Sequence, residues 1–189
     1  MLKIEILIFI IVALLVFGYI NFGKTSLVFT KDSSDTFHLV RDLPDKKEAA
    51  NMISEIKRRL KLLIQYCIQN FPENSSVGTL KQRFNDNNVQ ETDLSDSGTS
   101  YSIDKGREIN LCLRDKKTTR LHQINILMFV SIHELSHLMS TSYGHNNEFG
   151  DNFVFLLKQA VKIGIYQNED YSKNNQTFCG MKVDSNPLF

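Results

Sequence analysis

The 189-residue chain has almost no charge imbalance: 22 Lys and Arg stand against 21 Asp and Glu, for a formal net charge of +1. That balance removes any global pull toward nucleic acid or anionic lipid. Cysteine is sparse, and Cys67, Cys112 and Cys179 form no C-x-x-C pair. Such a set argues against a disulfide-rich secreted scaffold and leaves room for one bridge. The sequence has no internal repeat and no low-complexity tract. The basic cluster Lys57, Arg58, Arg59 and Lys61 reads as the solvated face of a helix rather than a binding patch. At this length one modest domain plus an appendage is expected.

Charge is missing altogether from residues 6–20, ILIFIIVALLVFGYI. With Ile4 and Phe22 the apolar span approaches the roughly 20 residues that cross a bilayer. Tyr19 and Phe22 suit the interfacial belt, and Lys3 and Lys24 bracket the segment. Glu5 and the run FGYINFGK offer neither the basic start nor the small-residue cleavage site of a signal peptide. Residues 1–23 are therefore expected to form an uncleaved single-pass anchor, residues 24–43 a polar tether with a short strand-like run at residues 26–29, and residues 44–189 one folded domain. Lys24, Lys31 and Arg41 slightly outnumber Lys3 and the terminal amine, which favours a cytosolic domain. Glycosylation sequons at Asn74 and Asn175 would matter only in a lumen.

Beyond the tether, where His38 reads as an ordinary surface or packing residue, Pro44 and Asp45 suit the first turn of a helix. Ala49, Ile53, Ile56, Leu60, Leu63, Ile64 and Cys67 then carry three-and-four apolar spacing to about Asn70. Residues 75–87 read as a loop with one helical turn, and the tail over residues 166–189 as polar and irregular. Strands are expected at residues 89–94, 99–103 and 108–113. Asp104-Lys105-Gly106 joins the last two into a hairpin, with Gly106 free to take positive φ. A last amphipathic helix spans residues 147–162. The order predicts an α+β fold, helices packed on a small antiparallel sheet.

Residues 121–139, LHQINILMFVSIHELSHLM, are apolar on nearly every side, as in a helix buried in a core. The stretch ends in HELSH, His133 to His137. Histidines at i and i+4 lie one turn apart on one face, where both can reach one metal ion, and Glu134 lies beside them as a general base. Buried polar groups clustered in one helix need a shared reason, and zinc supplies one. A catalytic zinc takes three protein ligands and one open position. His145 is the leading third ligand, because Gly144 lets the chain turn back toward the metal; Glu148 is the alternative, with Asp151 a further rival. The chemistry implied is hydrolysis of a peptide bond by a zinc-activated water that gives its proton to Glu134. Tyr143 is a candidate oxyanion stabiliser. The strand at residues 108–113 could offer an edge to an extended peptide.

HELSH, the Gly144-His145 pair after it and Phe149 opening the next helix resemble the WLM and SprT-like minimal zincin proteases. The resemblance covers residues 103–165. It implies a compact zincin-like domain with Zn2+ held by His133, His137 and His145, and Glu134 as the catalytic residue. Several members of those families act on proteins crosslinked to DNA, and similar anchored versions occur among the proteins of large DNA viruses. Those families usually place the third His six residues after the second, whereas here the gap is eight. Their DNA-reading regions are not recognisable in this chain, so the resemblance carries the chemistry and not the substrate. The expectation is a membrane-anchored zinc metalloprotease in a virion or host membrane, taking protein or peptide substrates and no nucleic acid. The alternative is a catalytically inactive, zinc-stabilised interaction domain tethered to a membrane.

Overall fold

The computed structural model describes residues 10–11, 26–96 and 98–189. Apart from Ile10 and Ile11, the anchor expected over residues 1–23 lies outside the described residues. Among the described residues no helix is long and apolar enough to cross a membrane.

The apolar stripe that starts at Ala49 becomes helix α1, Lys46–Asn70, which buries Ile53, Ile56, Leu60, Leu63 and Cys67. Phe71-Pro72 stops it, and the Phe71 amide closes the last turn on the Cys67 carbonyl. Cys67 forms no bridge, and burial pushes its thiol up to about 11, so it packs as a small hydrophobe. Residues expected as loop form a second helix, α2, Ser75–Arg83. The Asn74 side chain accepts from the Ser76 and Val77 amides, and Val77 and Leu80 turn into the core. The cap and those two anchors outweigh Gly78 in mid-helix.

The central sheet has strands β3 (Val89–Glu91), β4 (Tyr101–Ile103) and β5 (Glu108–Leu111), in the order β3-β5-β4. It is mixed and not purely antiparallel: β4 and β5 form the expected hairpin, but β3 runs parallel to β5. β4 lies on the far side of β5 from β3, an order that strand periodicity does not reveal. Asp104, Lys105 and Gly106 all take positive φ in the hairpin turn. A Cβ on Gly106 would lie 2.7 Å from Leu138 Cδ2 and 3.0 Å from the Arg83 carbonyl oxygen, so only glycine lets this turn reach the neighbouring helices.

The stretch expected as a tether carries an antiparallel hairpin, β1 (Leu27–Lys31) and β2 (Phe37–Arg41), packed on α1. His38 is buried there, its Nε2 3.1 Å from Asp32 Oδ2. At the hairpin's end a charge cluster closes the core. The fully buried Glu91 carboxylate accepts from the Arg41 amide and from Arg114 Nε, each at 2.8 Å, while Arg114 also donates to Asp45 at 2.6 Å. The polar tail likewise holds structure. Strands β6 (Gln176–Phe178) and β7 (Met181–Val183) form a hairpin through Cys179 and Gly180, both at positive φ. A Cys112–Cys179 disulfide fastens that hairpin to the chain just beyond β5. Tyr171 and Phe178 are buried beneath it, which gives the tail a core that its polar composition hides.

The disulfide closes a loop of 67 residues, so the pair of substitutions Cys112→Ala and Cys179→Ala should lower stability by about 2–4 kcal/mol. Guanidinium unfolding reads this as a lower midpoint, with a steeper slope because the unfolded chain without its cross-link exposes more surface. A midpoint equal to that of the parent chain would contradict it.

Candidate metal centre

Helix α3, Ile124–Met139, is the apolar cylinder expected from the sequence, and eleven of its sixteen residues are buried. The start shifts from residue 121 to Ile124 because Leu121 is drawn into a β-bridge with Arg114. His133 and His137 stand one turn apart, with ring centroids 5.0 Å from each other. The helix ends at Ser140, and its last carbonyls meet cations instead of water. Arg83 donates to the Leu138 and Ser140 carbonyls, and Lys105 to those of His137, Ser140 and Ser142. Positive charge at this end complements the helix dipole and ties α2 and the β4–β5 turn to α3.

Of the seven residues between His137 and His145, Leu138 and Met139 finish α3 and the rest form a fixed loop. Gly144 takes φ +81°, the left-handed backbone expected of it. Glu148 does not join the histidines. Its carboxylate accepts from the Thr141 amide at 2.7 Å, the Thr141 hydroxyl at 2.9 Å and the Ser142 amide at 3.0 Å, and also from the Ser142 hydroxyl. These bonds hold the Glu148 carboxyl down at about 2, chiefly the one from the Ser142 side chain. Asn146 accepts from the Phe149 amide, capping helix α4 (Asn147–Lys162), and reaches back to Ser142 Oγ at 2.7 Å. Asp151 is exposed. The loop thereby delivers His145 Nε2 to 3.0 Å from His133 Nε2.

One ring nitrogen from each of His133, His137 and His145 lies within 4.8 Å of the other two. Three imidazoles with no carboxylate among them form a donor set that suits zinc. Burial, reinforced by the neighbouring imidazoles, holds His133 near 3 and, with Lys105 also acting, His137 near 4. Both rings are therefore neutral at pH 7, the form that carries a free lone pair for a metal. Phe149 packs against all three rings, at 4.4 Å from His137, 4.7 Å from His145 and 4.8 Å from His133. A phenylalanine four residues after His145 was visible as a core residue of α4; its place against the imidazoles was not.

Glu134 is 4% exposed, and burial raises its carboxyl to about 7, with hydrogen bonds from the Ser102 side chain and backbone partly opposing. Ser102 lies on β4 and carries no sequence signal of its own. It reaches Glu134 only because β4 packs across α3. The four residues His133, Glu134, His137 and His145 share one cleft of about 560 Å³. Residues Thr99–Ser102 form one wall, and Phe178, Met181 and Val183 from the tail hairpin line another. Tyr143 stands at the mouth, 80% exposed, with the Lys105 ammonium 4.5 Å from its ring centre. The sheet edge at the cleft is β4, since β5, the strand expected to offer an edge, runs between β3 and β4.

The chain is 32% identical to "Uncharacterized protein R325" of Acanthamoeba polyphaga mimivirus, over 98% of this chain and 96% of that protein. It is 29% identical to "Uncharacterized protein 136R" of Invertebrate iridescent virus 6, over 69% of this chain and 73% of that one. No family profile matches the chain. Among solved structures, Wss1 from Saccharomyces cerevisiae shares the fold, with a TM-score of 0.50 at 20% identity over 66% of this chain and 85% of Wss1. The likeness shows a Wss1-like α+β fold.

Glu148 sets a pH test of the loop. Its carboxyl lies near 2 in the folded chain against an ordinary 4.5, so its contribution to stability is full above about pH 4.5 and disappears as pH falls through 2. Glu148→Gln should therefore lower the melting temperature most at neutral pH, and the gap to the parent chain should close on acidification. A gap that is constant with pH would show that the carboxylate does not hold the loop.

Proposed function

The chain belongs to the family of mimivirus protein R325, and we propose that it is a zinc-dependent peptidase held at a membrane by its N-terminal segment. The observation that carries this reading is the convergence of the His133, His137 and His145 imidazoles on the cleft that Glu134 and the edge of β4 also line. Bound by the three imidazoles, zinc would supply Lewis acidity toward a peptide carbonyl and toward water.

The chain's own residues do the rest. The free edge of β4 can pair with an extended peptide through main-chain hydrogen bonds, which holds the backbone while leaving its sequence open. That geometry favours an unfolded or locally extended segment of a protein over a small molecule. Glu134, fixed by Ser102, takes a proton from the attacking water at its carboxylate and returns it to the departing amine nitrogen. Phe149 and Phe153 keep water from the inner side of the His133 ring. The near-neutral net charge supports a protein or peptide substrate rather than nucleic acid. The uncharged run over residues 6–20 supports the anchor.

The full chain purified with zinc should hold one ion, which His133→Ala, His137→Ala and His145→Ala each release. Glu134→Gln should keep the ion and lower hydrolysis of an unfolded protein substrate by about 10²–10⁴-fold. Metal analysis together with peptide release checks both. No bound zinc would end the reading. Zinc bound by a chain that is inert before and after Glu134→Gln would favour the non-catalytic interaction domain.

A further inference from the structure

The β1–β2 hairpin has two unlike faces. Its register places Val28 opposite Val40 and Thr30 opposite His38 on one side, and Phe29 opposite Leu39 and Lys31 opposite Phe37 on the other. The first side packs inward, with Val40 and His38 buried. The second turns out, leaving Phe29 70% and Phe37 57% exposed. The two rings sit diagonally across paired strands, a spacing of about 7–8 Å that lets them form one patch. Lys31 stands over the Phe37 ring, its ammonium 5.3 Å from the centroid. Leu94, 59% exposed, is held at the hairpin's base by a 2.9 Å bond from its amide to Ser26 Oγ. Single exposed apolar residues are ordinary. Two rings on the outward face of the first hairpin, with a third large apolar side chain at its base, serve neither the core nor the cleft.

The sequence just upstream says what meets them. Residues 6–20 carry no charge, and Phe22 is five residue steps before Leu27, a reach of at most about 18 Å. Whatever surface the apolar run enters, the start of β1 stays within that reach of it. Aromatic rings beside a lysine suit the boundary between lipid headgroups and acyl chains, where rings sink and the ammonium stays in water.

We propose that the outward face of β1–β2, built on Phe29 and Phe37 with Leu94 beside them, is a second membrane contact that seats the domain on the bilayer entered by residues 6–20. The domain is then oriented on the lipid surface instead of swinging from a tether. This rests on the anchor and is independent of the peptidase chemistry.

The chain has no tryptophan, so Phe29→Trp or Phe37→Trp gives the full-length protein a single indole. In phosphatidylcholine vesicles whose lipids carry bromine on shallow acyl carbons, each should lose about half its emission relative to unbrominated vesicles. Leu62→Trp, on the exposed side of α1, should keep its emission. Unquenched emission from Phe29→Trp and Phe37→Trp in chains that float with the vesicles would overturn the contact and leave the anchor standing. Equal quenching of Leu62→Trp would overturn it as unspecific. Failure of the chain to float at all would remove anchor and contact together. Zinc content, measured on the same samples, tests the metal reading separately.

Discussion

Glu134 and the imidazoles of His133 and His137 occupy the one polar stripe of a helix that is otherwise wrapped in hydrocarbon, and the surrounding elements are arranged to satisfy that stripe. Desolvating a carboxylate without a partner is costly. Ser102 partners Glu134 from the sheet, Phe149 packs on the imidazoles from the following helix, and the loop after α3 adds the third ring. The C-terminal end of the helix is treated the same way. Lys105 and Arg83 occupy carbonyls that would otherwise be buried bare. The β4–β5 turn, α2 and α4 are therefore positioned by the polar demands of α3 as much as by apolar packing.

Much of this was legible in the chain. Three-and-four apolar spacing located α1 and α4, because each buries a stripe against one core and the stripe has to repeat with the helix, while α3 stood out as a run apolar on nearly every side. The β4–β5 hairpin was visible through Gly106. His145 could be singled out because Gly144 permits the reversal. The two residues beyond the usual spacing are taken up by the cradle that Glu148 and Asn146 build around Thr141 and Ser142. Glu148 was a reasonable ligand by chemistry, and its competing partners are backbone amides that no spacing rule counts.

The rest depended on contacts between distant residues. Ser102 meets Glu134 across the sheet, and Cys112 meets Cys179 across 67 positions. The parallel pairing of β3 with β5 follows from the strand order β3-β5-β4, which composition does not specify. Helix α2 is short and polar, so its existence rests on one cap and two buried side chains. The N-terminal hairpin reads as polar because its buried partners are Asp32 with His38 and Arg41 with Glu91 rather than hydrocarbon.

The Arg41–Glu91–Arg114–Asp45 cluster has a consequence for where the domain can be cut. Residue 44, where the sequence draws the domain's edge, lies inside this cluster and not before it. A chain trimmed there would lose the Arg41 amide and guanidinium and leave Glu91 buried with half its partners. A charge stripped of its partner in a protein interior costs about 3–5 kcal/mol, a large fraction of what holds a domain of this size together. The smallest piece that keeps Glu91 fully partnered therefore begins ahead of Arg41, inside the first hairpin.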